Sequence, residues 1–518
     1  MLKRSLSVFL TVSLLLTLGA GFAAAEAPYA FPEGLELNYY LPLSDQAAAI
    51  ISSFNENEAY KQKEEKTGVH VTFDSPPAGS WAEAFKLLIA GKDLPDIIEE
   101  GSGSLSDYPG GPDQAIADGV YIDLAPLIPL YAPNYNKLLE DPEFRKEVTT
   151  DKGAIPAFFC AHTAKEPAWS GPVVRLDWLK EQGLEIPVTL ADWENMLIKF
   201  RDAYGCEAPL QLNVRGVPDY GEFVGAFDVA PGTFQIDGVV KYGPVEAGFR
   251  DYVTLMHKWY EEGLIDPEFP TRDGTSADAL ATTGRAGAWT GDYNNKLNTY
   301  ISIVRKTGDE KYDLEAAPYP VREAGMVSHV RQTNFKNKLS GAFITTSCKD
   351  VEAAMRWMDW NYSEEGMMLF NYGIEGLTYD VIDGLPYYSD FYNKNPDGIA
   401  PGHMSWKYRT SYGPYLRLFT MQRVHVPNPK TDNTYTVWES NGDNAYSLPM
   451  VTYTAEESSE RSRLLNEIKM YQEPMIAKFI TGDEPLENFD AYLAHMKELG
   501  VDRVIEITQG ALDRYIGR

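Results

Sequence analysis

Cysteine is scarce in this sequence, with only Cys160, Cys206 and Cys348 among 518 residues. A disulfide-built scaffold of this size would need many more, so the stability must come from ordinary hydrophobic cores. One bridge between two of the three remains possible, and an odd count leaves at least one thiol outside it. We expect buried, unpaired thiols.

Positive charge is also in short supply, because 46 Lys and Arg face 75 Asp and Glu for a net charge of −29. A nucleic-acid partner requires a basic patch, and none is visible. Hydrophobic residues make up 44% and charged residues 23%, close to globular averages. The length suggests two to four folded domains at roughly 150 residues each.

The one long apolar run lies at the N-terminus. Lys3 and Arg4 precede an apolar stretch from Val8 to Leu18, and small residues follow at 21–25. This is the pattern of a secretory signal, and the run is too short for a comfortable membrane span. We therefore predict a removable signal at 1–25 and export to the periplasm or the cell surface, with a retained anchor as the alternative. No cysteine follows the run, so the usual bacterial lipid-attachment residue is missing.

Catalytic signatures are missing as well. The sequence has no G-x-S-x-G, H-E-x-x-H or G-x-x-x-x-G-K-[ST] motif and no acid-rich calcium loop ending in Glu. Adjacent acids such as Glu99 and Glu100 occur by chance in so acidic a chain, and neighbours in sequence do not face one another. The sequence favours a binding protein without a cofactor over an enzyme.

What is present is an alternation of strands and helices. Predicted strands at 35–41, 69–73 and 96–98 enclose predicted helices at 45–66 and 81–90. This order is typical of an α/β fold with a doubly wound parallel sheet, whose ligands bind beyond the carboxyl ends of the strands. The segment Gly101-Ser102-Gly103-Ser104 follows one such end, and we interpret it as a flexible cleft wall because Ser106 stands where a dinucleotide loop needs its third Gly.

The pattern restarts at Ile155-Pro156 and breaks again at 316–320, which we interpret as crossings between two lobes. Helices are predicted at 176–182, 190–203, 245–262 and 351–360, and a strand at 341–345. Residues 380–444 are aromatic with little periodicity, and 461–518 return to helices. The expected N-terminal lobe is 26–155 plus about 318–375, and the C-terminal lobe is 156–317 plus about 376–518.

Aromatic residues make up 12% of the chain, with 32 Tyr, 22 Phe and 10 Trp. A sugar ring needs a flat aromatic platform for its C–H face and planar polar groups for its hydroxyls. The segment 289–295 interleaves both kinds of residue, although Trp289 could be a core residue and Asp292 a helix cap. Arg175 could clamp a carboxylate or a hydroxyl, or equally pair with Asp177. The predicted ligand-contacting residues are Trp81, Ser102, Phe159, His162, Trp169, Arg175, Trp289, Asp292, Tyr293, Tyr372, Glu375, Trp406 and Tyr412.

Several motifs together resemble one family, the extracytoplasmic solute-binding proteins of carbohydrate ABC importers, in the branch that includes alginate-oligosaccharide-binding proteins. The matching segments run in family order from residue 35 to the C-terminus. They are LLIAGKDLPDI at 87–97, RLDWLK at 175–180, WYEEGLIDPE at 259–268, NYGIEGLTYD at 371–380, FITG at 479–482 and DRY at 513–515.

This resemblance implies a periplasmic-binding-protein-like fold of two α/β lobes that close over a ligand like a hinged clam. It implies a monomer that captures an oligosaccharide and delivers it to a membrane permease. Tyr293 occupies the place of a Trp that stacks on a sugar in the alginate binders. Their calcium loop is shortened here to residues 204–209, so we predict no such metal. The alternatives are a secreted polysaccharide-active enzyme and an oligopeptide-binding receptor.

Overall fold

The computed structural model describes residues 29–101, 105–162, 166–399, 401–410, 413–418 and 429–518. The predicted signal at 1–25, Ser102 and Tyr412 lie outside these residues. The strands of the described part are β1 Glu36–Tyr40, β2 His70–Asp74, β3 Ile97–Glu100, β4 Phe158–His162, β5 Ser170–Arg175, β6 Ala208–Leu210, β7 Thr233–Ile236, β8 Val239–Tyr242, β9 Ala286–Asp292, β10 Leu314–Ala316, β11 Asn337–Ile344, β12 Tyr379–Ile382, β13 Leu385–Tyr388 and β14 Leu416–Arg417.

Six strands form the first sheet, in the order β14-β4-β11-β3-β1-β2. β1 runs parallel to β2, with Leu37 opposite Val71, and parallel to β3. Only β11 is antiparallel to its neighbours, and β14 is parallel to β4. The carboxyl ends of five strands therefore meet at one edge of the sheet, which carries Tyr40, Glu100, His162 and Arg417.

Four strands form the second sheet, in the order β10-β5-β9-β6. β5 is antiparallel to β9 and β10, and β6 is parallel to β9. Ser170 at the start of β5 pairs with Asp292 at the end of β9. The amino end of β5 and the carboxyl ends of the other three strands thus share one edge. Two antiparallel pairs, β7 with β8 and β12 with β13, complete the strands.

We call the part built on the first sheet lobe 1 and the part built on the second sheet lobe 2. The helices around the first sheet are α1 Asp45–Ala48, α2 Glu58–Thr67, α3 Trp81–Gly91, α4 Gly111–Ala117, α5 Ile128–Tyr131, α6 Pro133–Leu138, α7 Pro142–Val148, α13 Val351–Asp359, α14 Glu364–Tyr372, α15 Asp390–Asn393 and α16 Pro401–Tyr408. Those around the second are α8 Leu176–Glu181, α9 Leu190–Tyr204, α10 Ala247–Glu261, α11 Gly274–Thr282, α12 Tyr300–Lys306, α17 Pro429–Glu439, α18 Ala455–Thr481, α19 Phe489–Glu498 and α20 Val501–Gly517.

Each lobe has its own hydrophobic core, as the lengths of the two parts require. In lobe 1, Tyr39, Phe158 and Phe343 are buried between the sheet and its helices. In lobe 2, Trp193 and Trp259 pack with residues of α10 and α18. The structure thus confirms the α/β class and the two-lobed architecture. Of the described residues, no helix is both long and apolar enough to cross a membrane.

The strand pairing differs from the lobe boundaries expected from the sequence. β4 and β14 fall in ranges that the sequence assigns to the second lobe, yet both are hydrogen-bonded into the first sheet. α16 packs on α1 and α2 of lobe 1, whereas α17 packs on β5 and β10 of lobe 2. We therefore propose that the chain passes from one lobe to the other between residues 162 and 170, between 316 and 337, and between 418 and 429.

Two predicted elements differ from the structure. The predicted helix at 45–66 is interrupted, because the side chains of Ser53 and Asn57 each accept a hydrogen bond from a backbone N–H and start new helical segments. The supposedly aperiodic region after residue 380 contains the β12–β13 hairpin, whose turn places Asp383 and Gly384 at positive φ. The dipeptide Asp-Gly is a hairpin signal that the sequence did contain.

Candidate functional site

The carboxyl edges of the two sheets approach one another near Tyr293 of lobe 2, which lies within electrostatic reach of Arg417 of lobe 1. Tyr293 follows β9 and Arg417 ends β14. The pKa of the Tyr293 phenol is raised, chiefly by burial. A hydrogen bond from Tyr435 and the positive charge of Arg417 oppose that rise, while the carboxylates Glu166 and Asp292 add to it. A phenol that experiences charges from both lobes lies at the junction between them.

Lobe 2 contributes an aromatic wall to this junction. The rings of Trp169 and Tyr220 meet edge-on with centroids 5.4 Å apart, and Tyr293 lies 5.1 Å from Tyr435. Trp169, Tyr220 and Tyr293 are only half-buried, whereas Tyr435 is buried behind them. Three aromatic rings with free surface therefore line the edge of the second sheet.

Helix α17 is fixed tightly against the second sheet, and this contact holds Tyr435 in place. The indole Nε1 of Trp438 donates to the carbonyl of Pro172, at 3.1 Å. A Cβ on Gly171 would lie 2.6 Å from that same nitrogen, so only glycine allows the ring to approach the strand so closely.

Lobe 1 and the first crossing contribute charged and polar groups. His162 Nδ1 lies 3.0 Å from Glu166 Oε1, and Arg417 Nε lies 3.9 Å from the same oxygen. All three side chains are buried. The backbone N–H of Trp169 donates to Gln332 Oε1 at 2.8 Å, which ties the first crossing to the second. His162, Glu166 and Arg417 thus form a buried polar cluster near the aromatic wall.

Trp81 lies further along the edge of the first sheet. It begins α3, is half-buried, stacks on Phe85 with centroids 4.9 Å apart and contacts Tyr40. Its Nε1 donates to Asp107 Oδ2 at 2.7 Å. The indole is thus held in place and half-buried, and its contact with a ligand stays a prediction.

Two buried carboxyl groups lie beneath this edge at the end of β3. Glu99 accepts hydrogen bonds from Tyr39 Oη at 2.6 Å and Ser340 Oγ at 3.2 Å. Glu100 accepts from Tyr121 Oη and from the backbone N–H of Asp107. Burial raises the pKa of each to about 7, against the lowering effect of these hydrogen bonds. Both carboxyl groups therefore connect the end of β3 to neighbouring segments of lobe 1 by buried hydrogen bonds.

In the segment 289–295, Trp289 is a core residue and Asp292 is a helix cap, which are the two alternatives to ligand contact that the sequence left open. Trp289 is buried in β9 and its Nε1 donates to the carbonyl of Lys296 at 3.1 Å. Asp292 Oδ1 accepts from the backbone N–H groups of Asn294 and Asn295, so it caps the helical turn Tyr293–Thr299. Asp292 stays half-buried at the edge, beside Tyr293.

Other predicted site residues lie elsewhere. Arg175 ends β5, at the opposite edge of the sheet from Trp169, where it pairs with Asp177 and is sandwiched between the rings of Trp178 and Tyr312. Phe159 and Tyr372 are fully buried. The structure therefore brings together His162, Trp169, Asp292 and Tyr293, with Trp81 further along the same edge of lobe 1.

Glu375 and Trp406 lie in the aromatic region of lobe 1. Glu375 is exposed in the turn before β12. Trp406 is half-buried on α16, and its carbonyl accepts a hydrogen bond from Asn57 Nδ2 at 2.8 Å. Their roles in ligand binding stay predictions.

The shortened loop at 204–209 contains one acid, Glu207, whose carboxylate pairs with Arg272 and Arg285, each at 3.0 Å. Arg272 also pairs with Asp266, which is fully buried. Guanidinium groups therefore neutralise the carboxylates at this place.

Sequence analysis missed Glu166, Tyr220, Arg417 and Tyr435. Arg417 belongs to a two-residue strand in an aromatic segment without periodicity, and Tyr435 comes from the region after the third crossing. No local pattern marks these residues, because their position depends on strand pairing and on the packing of Trp438 against Gly171.

Two sheets, each with its own core and with an aromatic edge beside charged groups, are the architecture of a two-lobed binding protein. The sequence profile of the family described as bacterial extracellular solute-binding proteins matches residues 44–368. The chain belongs to this family, as the sequence motifs predicted.

Relatives of known function share most of the chain. The fructooligosaccharide ABC transporter substrate-binding protein FusA of Streptococcus pneumoniae is 25% identical over 496 residues, covering 89% of this chain and 87% of its own. The polygalacturonan/rhamnogalacturonan-binding protein YtcQ of Bacillus subtilis is 22% identical over 475 residues, covering 87% of each.

Solved structures share the fold. FusA in complex with kestose superposes with a TM-score of 0.70 at 21% identity, over 93% of this chain and 99% of that one. The alginate-binding protein AlgQ2, solved without calcium ion, superposes with a TM-score of 0.68 at 20% identity, over 94% of this chain and 100% of that one. The fold is thus that of two-domain solute-binding proteins.

Proposed function

We propose that this protein is an exported, monomeric receptor that captures an oligosaccharide between its lobes and delivers it to the permease of an ABC importer. Membership of the solute-binding family and the sugar ligands in the names of FusA and YtcQ support this proposal. The observation that carries it is that Tyr293 of lobe 2, whose backbone N–H donates to the carbonyl of Trp169, lies within electrostatic reach of Arg417 of lobe 1.

The proposed binding mode follows from the chemistry of the two edges. Sugar rings lie with their C–H faces on Trp169 and Tyr293, and each such contact removes apolar area from water. Asp292, half-buried at the edge, accepts hydrogen bonds from the hydroxyls, and the buried cluster of His162, Glu166 and Arg417 supports the edge from within. A ligand that touches both edges stabilises the closed arrangement, because the open one cannot offer both sets of contacts.

In this proposal the protein does no bond chemistry. The aromatic wall and the edge charges bind and orient the glycan, and the crossing segments allow the lobes to separate for release. The energy for transport is supplied by the importer and not by this chain, whose sequence has no phosphate-binding loop.

Calorimetric titration tests the proposal with purified protein lacking residues 1–25. The probes are kestose, a trigalacturonate, an alginate trisaccharide and a mixed pentapeptide library, with mass spectrometry of each sugar after overnight incubation. We expect one-to-one binding of at least one sugar with no product. Multiple turnovers would establish the enzyme alternative, and binding of peptides alone would establish the oligopeptide receptor.

A further inference from the structure

A buried carboxyl group lies behind the aromatic wall of lobe 2, on the segment that carries Tyr220. The side chain is that of Glu222, which is 0% exposed. Its Oε2 accepts a hydrogen bond from the backbone N–H of Tyr220 at 3.3 Å. Its Oε1 is buried as well and has no hydrogen-bond partner among the described residues. The carboxyl group is therefore only half satisfied, and its hydrogen bond to another residue holds the backbone of Tyr220.

The residues on both sides of this carboxyl group are fixed in place. The ring of Phe223 meets that of Trp193 edge-on in the core of lobe 2, with centroids 4.9 Å apart. Gly221 has a φ of +80°, and a Cβ there would lie 2.5 Å from Cγ1 of Val330, in the segment between β10 and β11. The chain that carries Tyr220 is thus held from two sides and is not a loose loop.

The surroundings of the carboxyl group are apolar and aromatic. Burial raises the pKa of Tyr220, Tyr252 and Tyr319, and the negative charge of Glu222 raises these pKa values further. Burial also raises the pKa of Glu222 itself to about 7, against the lowering effect of the backbone N–H groups of Glu222 and Tyr220. A buried carboxyl group with an unpartnered oxygen destabilises the folded state. Such groups are expected chiefly where function requires them.

Tyr220 connects this carboxyl group to the edge of the second sheet. Its half-buried ring meets that of Trp169 edge-on, with centroids 5.4 Å apart. The charge of Asp292, at the end of β9, also acts on its phenol. Trp169 is held in the same manner as Tyr220, because its backbone N–H donates to Gln332 Oε1 at 2.8 Å. One side-chain acceptor behind each ring therefore fixes how the two rings meet.

We propose that Glu222 is a positioning residue, which holds Tyr220 against Trp169 so that the two rings present a pre-formed face to the ligand. The carboxyl group itself touches no ligand, since it lies wholly inside lobe 2. It acts on affinity, because a ring that is already in place loses less freedom when a sugar binds. The protein thereby loses stability and gains affinity. The statement about affinity rests on the function proposed above, and the statement about the position of Tyr220 does not.

Three variants of the protein lacking residues 1–25 provide the test. Glu222→Met places an unbranched apolar chain of similar size in the same space, and this chain cannot accept from the backbone of Tyr220. Glu222→Gln keeps an acceptor oxygen and is the conservative variant. The matched control is Asp359→Asn, because Asp359 is also 0% exposed but accepts from the backbone N–H of Tyr135 at 2.8 Å, within lobe 1.

Hydrogen exchange, followed by mass spectrometry over peptides that cover 217–227, tests the position of Tyr220 without any ligand. We expect the Tyr220 amide to exchange about fivefold faster in Glu222→Met than in the unmodified protein, because its acceptor is lost. Glu222→Gln and Asp359→Asn should not change exchange in these peptides. Equal exchange in Glu222→Met and the unmodified protein would overturn the proposal.

Thermal unfolding at pH 8 separates this role from a merely structural one. The melting temperature of Glu222→Met should rise by about 2 °C or more, because the variant removes a buried carboxyl group with an unpartnered oxygen. A lower melting temperature, or a Glu222→Met protein that does not fold, would overturn the proposal, since a carboxyl group that stabilises the fold needs no ligand to explain it.

Calorimetric titration with kestose tests the affinity. We expect Glu222→Met to bind kestose about fivefold more weakly than the unmodified protein, and Glu222→Gln and Asp359→Asn to bind it equally well. Combining Glu222→Met with Tyr220→Ala should weaken binding no further than Tyr220→Ala alone, because Glu222 acts through that ring. Additive losses, or unchanged binding by Glu222→Met, would overturn the claim about affinity.

The two proposals fail in different ways. If the unmodified protein does not bind kestose, the function proposed above loses this sugar as a ligand. Hydrogen exchange and thermal unfolding need no sugar, so their results still confirm or overturn the role of Glu222 in holding Tyr220.

Discussion

The aromatic residues of the two lobes have opposite surroundings. In lobe 2, Trp169, Tyr220 and Tyr293 are half-buried at the edge of the second sheet. In lobe 1, a second set of tyrosines is buried in a small core of its own. Its members are Tyr372, Tyr379, Tyr388 and Tyr392.

The buried tyrosines of lobe 1 pack against one another. Tyr388 stacks on Tyr392 with centroids 4.0 Å apart, and its hydroxyl donates to the carbonyl of Asn371 at 2.8 Å. Tyr372 lies against both Tyr379 and Tyr388. An aromatic residue can be a core residue or a platform for a ligand, and its type does not show which. The exposed fraction of its ring makes the difference. These four tyrosines of lobe 1 face inward, whereas Trp169, Tyr220 and Tyr293 of lobe 2 stay partly exposed.

The largest expected effect is on the free energy of unfolding and concerns the buried tyrosines of lobe 1. Replacing Tyr372 with Ala should lower the free energy of unfolding by about 3 to 5 kcal/mol, as large-to-small changes of buried aromatics do. The affinity of the folded variant for its glycan should not change. Urea denaturation and calorimetric titration measure the two quantities. A tenfold loss of affinity with unchanged stability would show that Tyr372 contacts the ligand, which would contradict the contrast drawn between the two sets of aromatic residues.

The buried carboxyls of lobe 1 predict a dependence of stability on pH. The pKa of Glu99 and of Glu100 is raised to about 7 in the folded state, so the folded protein keeps protons that the unfolded chain releases above its ordinary pKa. Stability should therefore fall as the pH rises from about 4.5 to 7, by on the order of 3 kcal/mol for each carboxyl, and level off above that range. Urea denaturation at several pH values measures this slope.

Glu99→Gln is the matched variant for this slope. It should remove about half of the decrease, because the amide oxygen still accepts from Tyr39 but carries no proton to release. A slope that Glu99→Gln leaves unaltered would show that Glu99 titrates normally in the folded protein.

A medium effect is expected at the aromatic wall. Trp169→Ala should weaken glycan binding about tenfold or more, because it removes a contact surface of roughly 1.5 to 3 kcal/mol. The unfolding free energy should change much less than it does in Tyr372→Ala. Trp169→Phe serves as the control, and it should recover most of the affinity because a ring face is retained. Equal affinities for the Ala and Phe variants would remove Trp169 from the platform.

The smallest expected effect concerns the Tyr293 hydroxyl. Tyr293→Phe should weaken binding by about threefold or less, because the ring face remains and only a hydrogen-bonded hydroxyl is lost. Tyr293→Ala should cost several times more. The ratio of the two dissociation constants, measured by titration, sharpens the comparison, since a ratio near one would mean that the ring of Tyr293 carries no sugar.

Local sequence patterns predicted much of the fold. Gly183 and Gly263 follow predicted helices and adopt the positive φ that ends them. The predicted strand at 69–73 and helix at 190–203 agree with β2 and α9 within a residue. The predicted helix at 45–66 was wrong as one element, because caps at Ser53 and Asn57 compete with helix propensity.

The candidate site was predicted less completely. His162, Trp169, Asp292 and Tyr293 lie at the ends of strands on the two sheet edges, where their contact with a ligand stays a prediction, while Phe159 and Tyr372 are core residues. A sequence shows that an aromatic residue is present but not how much of its ring other side chains cover. Arg417 and Tyr435 were missed because residues far apart in the chain bring them to the site.

The sequence by itself determined the α/β alternation, the two-lobed plan and the family, because periodicity, helix caps and local motifs depend on neighbouring residues. Only the tertiary structure decided which aromatics keep a free face and that β14 delivers Arg417 to the cleft. These features arise from pairing and packing between segments more than a hundred residues apart, and no local pattern encodes such contacts.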